Sequence, residues 1–315
     1  MPRLKLLINQ DDRTSFHQVL LQRLVEPYFD IVNWQEGVDY NRNDHVLVAN
    51  ALRHSSSSAW YYTDWYRPYL NDSYKIVLDN LWESPQIMHK FPDPVENCFV
   101  LHNQNWFWYN EASLNKANWS GYQPNRTYQK LALLPMRQRR QHRDALVVHL
   151  AEILDQLVWS YTMHGRTLPN DNDMNDVNFQ RHFNPDWYDS TYFSIVAETL
   201  VDAPEIFVTE KTFKPMAFYH PFVVMAQAGH LKYLQSQGFE TFDNLFDESY
   251  DNISDYTERL TALVSTVKNF DPVPHDQLTL QKLEHNHNRF YDHNLAESRI
   301  INEIINPIIA YAESK

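Results

Sequence analysis

The densest run of chemistry-bearing residues in this 315-residue chain lies between positions 192 and 242. An apolar run ends in Glu198, and a second one, at 206–208, gives way to Thr209, Glu210 and Lys211 ahead of a helical stretch. Pro215 fits only a first helical turn or a kink, so the helix starts near Thr212, or starts earlier and bends. Either way Glu210 and Lys211 lie at a helix N-terminus, where backbone N–H groups and the helix dipole favour a phosphate. A lysine there adds a point charge for a diphosphate, and a carboxylate can accept hydrogen bonds from two ribose hydroxyls. The plainer alternative is a capping glutamate beside a solvated lysine, since helix starts are often acidic.

Further clusters add to this. Residues 136–143 carry Arg137, Arg139, Arg140 and Arg143, together with His142. Arginines at a helix N-terminus oppose its dipole, at roughly a few tenths of a kcal/mol each, which points to an anionic ligand for at least one of them. An exposed basic helix start is the alternative, and a nucleic-acid backbone is a competing ligand. Asp171-Asn172-Asp173 has the spacing of a divalent-cation site, but it sits in a polar loop rather than after a buried strand, so no metal is expected. His285-Asn286-His287, with Asp292 and His293, is not spread over the ββα unit of a nuclease and reads as a helical face or cap. His285, Asn286 and Arg140 remain candidates for a cleft wall.

The elements that must position these residues follow from composition and pattern. Apolar residues make up 43% and charged residues 21%, which is the makeup of a packed chain rather than a disordered one. Only 5 glycines occur and none cluster, which removes the P-loop, the GxGxxG turn and the nucleophile elbow. A single cysteine, Cys98, cannot make an internal disulfide or a thiolate zinc cage, so a reducing, cytoplasmic location is expected. No apolar run approaches a membrane span, and the N-terminus turns polar too soon for a signal peptide. The formal charge of −13 repels polyanions on average. Short apolar runs at 4–9, 29–34, 45–49, 75–79, 98–102, 131–136, 157–161, 192–197, 206–208 and 222–226 have the look of buried parallel strands. Helices are expected at 15–28, 141–156, 252–270 and from 276 to the end, around an irregular stretch at 103–127. The chain is therefore α/β, with ligands expected at the carboxyl ends of its strands.

The wording of the second half resembles the donor-binding half of the α1,3-fucosyltransferases (glycosyltransferase family 10) and a set of tailed-phage glycosyltransferase-like proteins. The resemblance rests on Thr209-Glu210-Lys211-Thr212-Phe213-Lys214-Pro215, on 238–242 (Gly-Phe-Glu-Thr-Phe) and on 247–251 (Asp-Glu-Ser-Tyr-Asp). Tyr219-His220 stands where a glycine-containing turn is common. The resemblance implies a GT-B arrangement of two Rossmann-like domains facing a cleft. The acceptor side would be 1–120, the nucleotide-sugar side 121–290, and 291–315 a C-terminal helix free to cross back. It also implies that Arg143 and Lys211 bind the donor diphosphate and that Glu210, Glu198 and Thr209 meet the nucleoside. The expected activity is sugar transfer from a nucleotide-diphosphate donor to a hydroxyl, inverting and without a metal or other cofactor. Asp79 and Glu83, with Trp82 as a sugar platform, are candidate general bases; Asp11 and Asp12 hold the same topological position after the first strand, and any of these acids could instead cap a helix. The expected acceptor is a glycan or another hydroxyl compound. The alternatives are a DNA glycosyltransferase acting on a hydroxymethylated base, or a nucleotide-sugar-binding protein without catalysis.

Overall fold

The computed structural model describes residues 4–8, 26–35, 37–40, 45–50, 75–80, 98–102, 105, 107–109, 112, 121–168, 184–203 and 206–314. The strands are β1 (Lys5–Ile8), β2 (Asp30–Asn33), β3 (His45–Asn50), β4 (Lys75–Asn80), β5 (Cys98–His102), β6 (Lys130–Met136), β7 (Leu157–Tyr161), β8 (Thr191–Ala197) and β9 (Phe222–Met225). The α-helices are α1 (Gln141–His149), α2 (Pro185–Asp189), α3 (Glu210–Ala217), α4 (His230–Ser236), α5 (Tyr256–Lys268), α6 (Gln277–Phe290), α7 (His293–Ile300) and α8 (Asn306–Glu313). A π-helical turn, Ile301–Ile305, joins the last two.

The chain divides into two compact units, Met1–Leu114 with Asn294–Lys315, and Asn115–His293. Among the described residues the first holds a five-stranded sheet in the order β2-β1-β3-β4-β5, the second a four-stranded sheet in the order β7-β6-β8-β9. All pairings are parallel. Both orders follow one scheme, 2-1-3-4(-5), that of a doubly wound sheet whose switch point lies between its first and third strands. The apolar runs give this outcome because strands covered on both faces need no polar alternation; every residue of β9 is buried.

In the first unit the C-terminal helices are tied to the sheet edge. Tyr311 stacks on Phe99 at 5.3 Å, and the Lys75 ammonium donates to the carbonyls of Tyr311, Ala312 and Ser314. A cation on the last carbonyls of a helix also meets the negative end of its dipole.

Some expectations are corrected. Residues 206–208 form no strand; Phe207 and Val208 are buried in the lead-in to α3 without pairing to the sheet. The helix expected from 252 begins at Tyr256, because the Asp255 carboxylate accepts from the N–H groups of Thr257 and Glu258, both at 2.9 Å, and fixes the start. The helix expected at 141–156 ends at His149 and continues as a 3₁₀ turn. Of the helix expected at 15–28, residues 15–25 lie outside the described residues, and 26–28 form a turn.

One side chain closes the far side of the second unit. Arg259, on the buried face of α5, donates to the carbonyls of Ala226 (2.9 Å), Ser254 (2.9 Å), Ile253 and Val201. Replacing it by Leu leaves the carbonyls of the buried Ala226 and Val201 without this donor. Arg259→Leu is expected to lower stability by about 2–5 kcal/mol in urea denaturation; a loss below about 1 kcal/mol would show that water reaches the carbonyls instead.

Candidate functional site

The site is built where β6 and β8 part. Pro135 brings no N–H to a central strand, and the β6–β8 register runs only to Leu133 opposite Ser194. Beyond that point β8 continues to Ala197 with β9 alone, extended by the Glu198 N–H on the Met225 carbonyl at 3.0 Å. The Arg143 guanidinium, 3% exposed, takes up the unpaired carbonyls there. It donates to Ala197 (3.0 Å), Glu198 (3.3 Å) and Gln138 (2.9 Å). Burial pushes it down to about 10, with the Arg140 charge adding to the effect. Arg143 thus ties the strand ends at the switch point together, with its Nε left buried without a hydrogen-bond partner.

Glu198 is likewise committed. It is fully buried, and each carboxylate oxygen accepts two hydrogen bonds. Oε1 takes the Thr209 N–H (3.0 Å) and the Thr212 hydroxyl (2.7 Å); Oε2 takes the Thr199 N–H (3.1 Å) and the Thr209 hydroxyl (2.7 Å). Its carbonyl accepts from His142 Nε2 at 2.8 Å. With all four lone-pair positions filled, Glu198 has nothing to offer a nucleoside. Its effect is to fasten the end of β8 to the start of α3.

That start is where the sequence located it. Thr209 is the N-cap, with extended backbone and its hydroxyl accepting from the Lys211 N–H at 3.3 Å. The helix begins at Glu210 and includes Pro215, the earlier of the two starts the sequence allowed. The Lys211 ammonium, about a quarter exposed, lies 2.8 Å from Glu210 Oε1, 3.2 Å from Thr209 Oγ1 and 3.4 Å from Thr199 Oγ1. Glu210 is buried. Burial works against its charge, yet Lys211 and then Lys214 hold the carboxyl below its usual range. Its second oxygen, Oε2, is buried without a hydrogen-bond partner.

Arg140 is the N-cap residue of α1 and half-buried. Its charge, like those of Arg143 and Lys211, disfavours a proton on His142. Arg139 is exposed and paired with Asp144 at 2.9 Å. The four arginines therefore do not form one basic stripe.

The remaining candidates fall elsewhere. Asn286 is buried and bridges the Glu240 backbone, accepting its N–H (2.7 Å) and donating to its carbonyl (2.9 Å); His285 Nε2 donates to the Gly238 carbonyl at 2.8 Å. Both fix the 238–240 turn; Asn286 is thereby committed inside the unit, while His285 is exposed. The turn's far side is held by Glu248, which accepts from Thr241 Oγ1 and the Phe242 N–H. Asp79 is the penultimate residue of β4, in register with Asn50 and Leu101. Glu83, Trp82, Asp11, Asp12 and the 171–173 triplet lie outside the described residues. Among the described residues no three His, Cys, Asp or Glu side chains converge as a ligand set for a metal, and no helix is long and apolar enough to cross a membrane.

Sequence reasoning missed Arg126. It donates to the carbonyls of Phe218 (3.0 Å) and Tyr219 at the end of α3, and to Tyr188 (2.8 Å). Tyr219 has φ +51°, the left-handed turn for which glycine is common, and its ring stacks on His287 at 3.9 Å. Pro135 was the available signal for the switch point, since a proline inside a central-strand run is anomalous.

The fold and site together define an α/β protein with two parallel, Rossmann-like sheets and a cationic helix start at the carboxyl edge of the second. Compared with models of known protein families and with curated proteins, the sequence gives no match.

Imidazoles held neutral by burial make the second unit acid-sensitive; the buried His142 and the half-buried His275 are two of them, beside the fully buried His220 and His230. Burial, reinforced by Arg143, pushes His142 down to about 3; burial, reinforced by Arg126, pushes His275 down to about 4. Both rings stay neutral in the folded chain but protonate near pH 6.5 when unfolded. Stability is then complete above about pH 6.5 and falls as the pH drops towards the folded values, by about 1–2 kcal/mol per ring at pH 5. Urea midpoints at near-neutral pH and at about pH 5 should differ accordingly, and His275→Gln should narrow the difference; an unchanged midpoint would mean the rings protonate freely in the fold.

Proposed function

We propose that the chain is a glycosyltransferase of the GT-B class, and that its second unit binds a nucleotide-diphosphate sugar at the α3 N-terminus. The reading is supported above all by one arrangement: a partly exposed lysine at a helix start, over the switch point of a parallel sheet, with the neighbouring Glu210 Oε2 left without a partner. In this reading the acceptor oxygen attacks the anomeric carbon as the bond to the diphosphate oxygen breaks. Lys211, with Arg140, stabilises the charge that develops on the departing diphosphate, in place of a metal. Glu210 Oε2 accepts from a ribose hydroxyl. The proton of the acceptor hydroxyl passes to a carboxylate of the first unit, for which Asp79 and Glu83 are the candidates. The acceptor is a glycan or another hydroxyl compound. Duplex DNA is the weaker acceptor, because Arg139 and Arg143 are committed within the protein and the chain is acidic.

Two measurements test this. A nucleoside diphosphate at about a hundred times its Kd should stabilise the protein by about 2.7 kcal/mol, and EDTA should leave the shift in place. Lys211→Gln keeps a donor for the buried Glu210 carboxylate while removing the charge, so the fold should survive. It should lower kcat/KM about a hundred- to a thousand-fold, or about 2–4 kcal/mol of transition-state stabilisation. A thermal shift in Lys211→Gln equal to that of the unaltered protein would overturn the assignment, and a shift that needs Mg²⁺ or Mn²⁺ would overturn metal independence.

A further inference from the structure

The groups beneath the α3 N-terminus are ordered by the direction of their protons. An ionised carboxylate can only accept, so the hydroxyls of Thr209 and Thr212 must both donate to Glu198. A threonine hydroxyl has one proton. With it committed to Glu198, Thr212 Oγ1 can only accept from His230 Nε2, 3.3 Å away. His230 is therefore the Nε2–H tautomer, and its Nδ1 carries a lone pair, buried without a hydrogen-bond partner. The same logic applies on the other side. Thr209 Oγ1, its proton also committed, can only accept, and it takes both the N–H and the ammonium of Lys211. One carboxylate thus sets the sense of every hydrogen bond from His230 to Lys211.

We propose that Glu198, Thr212 and His230 form a positioning network for the diphosphate contact of Lys211. This rests on the reading in which Lys211 meets a diphosphate. Thr212 and His230 are buried and touch no ligand; they act by holding Glu198, which aims the Thr209 oxygen at the ammonium. Release of Glu198 Oε1 by Thr212 lets the carboxylate rotate. The Thr209 hydroxyl then turns its proton away from Oε2, and the ammonium loses one of its three acceptors, keeping Glu210 Oε1 and Thr199 Oγ1.

The test measures binding of GDP, UDP, ADP and inorganic pyrophosphate by calorimetry. Thr212→Val, which removes only the hydroxyl, should weaken the probe that the unaltered protein binds by about tenfold or more, as expected for loss of a hydrogen bond to a charged group. Thr212→Ser should restore it. The control is Thr241→Val, which deletes the equivalent buried hydroxyl-to-carboxylate bond on Glu248 in the same unit, away from α3. It should cost comparable thermal stability and leave affinity alone. Equal affinities for Thr212→Val and Thr241→Val would overturn the network while leaving the diphosphate site standing; absence of binding by the unaltered protein would overturn the site and the network with it. The tautomer needs no variant: ¹⁵N spectra of the unaltered protein should place the His230 proton on Nε2, and a proton on Nδ1 would overturn the network even if Thr212→Val fails to fold.

Discussion

A buried carboxylate must be surrounded by donors, because an unpaired one would cost several kcal/mol. Glu198 meets that demand at the carboxyl end of β8, and the second unit is arranged around the answer. Its four side-chain acceptances come from Thr199, Thr209 and Thr212, so a helix start, an extended lead-in and a strand end are all fixed to one group. Its carbonyl faces the other way and takes His142 and Arg143 from α1. Two helices that enter the sheet from different strands are therefore registered to each other through a single residue. The long side chain of Lys211 is left with few places to go, which is what a preorganised anion contact requires.

The acidic balance of the chain has a structural side that composition alone hides. Asp247, Asp251, Asp255 and Asp276 each accept backbone N–H groups at the first turn of a helix or 3₁₀ segment. Glu248 accepts from the 241–242 turn. These acids neutralise helix ends and close turns. The wording at 238–242 and 247–251 that carried the family resemblance is, in this chain, the two halves of one such closure. Asp251 of this closure also caps the start of α4, beside His230.

How much of this could be read in advance depends on whether a residue's partner is local. The strands were legible because a continuous apolar run is its own evidence. Thr209, Glu210 and Lys211 were legible because a cap, an acid and a cation at a helix start interact within one turn. Arg143 was not. Its position on α1 reads as one more basic residue in a basic segment, and only the parting of β6 from β8 ahead of Pro135 leaves the carbonyls that claim it. The partners of His285 and Asn286 were hidden in the same manner. Their helix face was correctly recognised, but what covers it is a turn more than forty residues upstream in sequence. The run at 206–208 misled for the opposite reason: burial of Phe207 and Val208 was read correctly, while strand pairing depends on a neighbour that an apolar run does not specify.

The same distinction bears on what kind of anion suits the site. A polyanion samples the field of a whole surface, and here that field is negative. A small anion samples only the few ångströms around the α3 N-terminus, where the helix dipole and Lys211 have the opposite sign, offset in part by the ionised Glu210 paired with that lysine. The four arginines that make the sequence look suited to a nucleic-acid backbone do not act together, since one is locked on carbonyls and another on Asp144. What remains is a short-range positive locus inside a repulsive envelope. Under the proposed function this favours a compact diphosphate over an extended backbone, and it ties donor preference to the same Glu198 contacts that hold α3 in place.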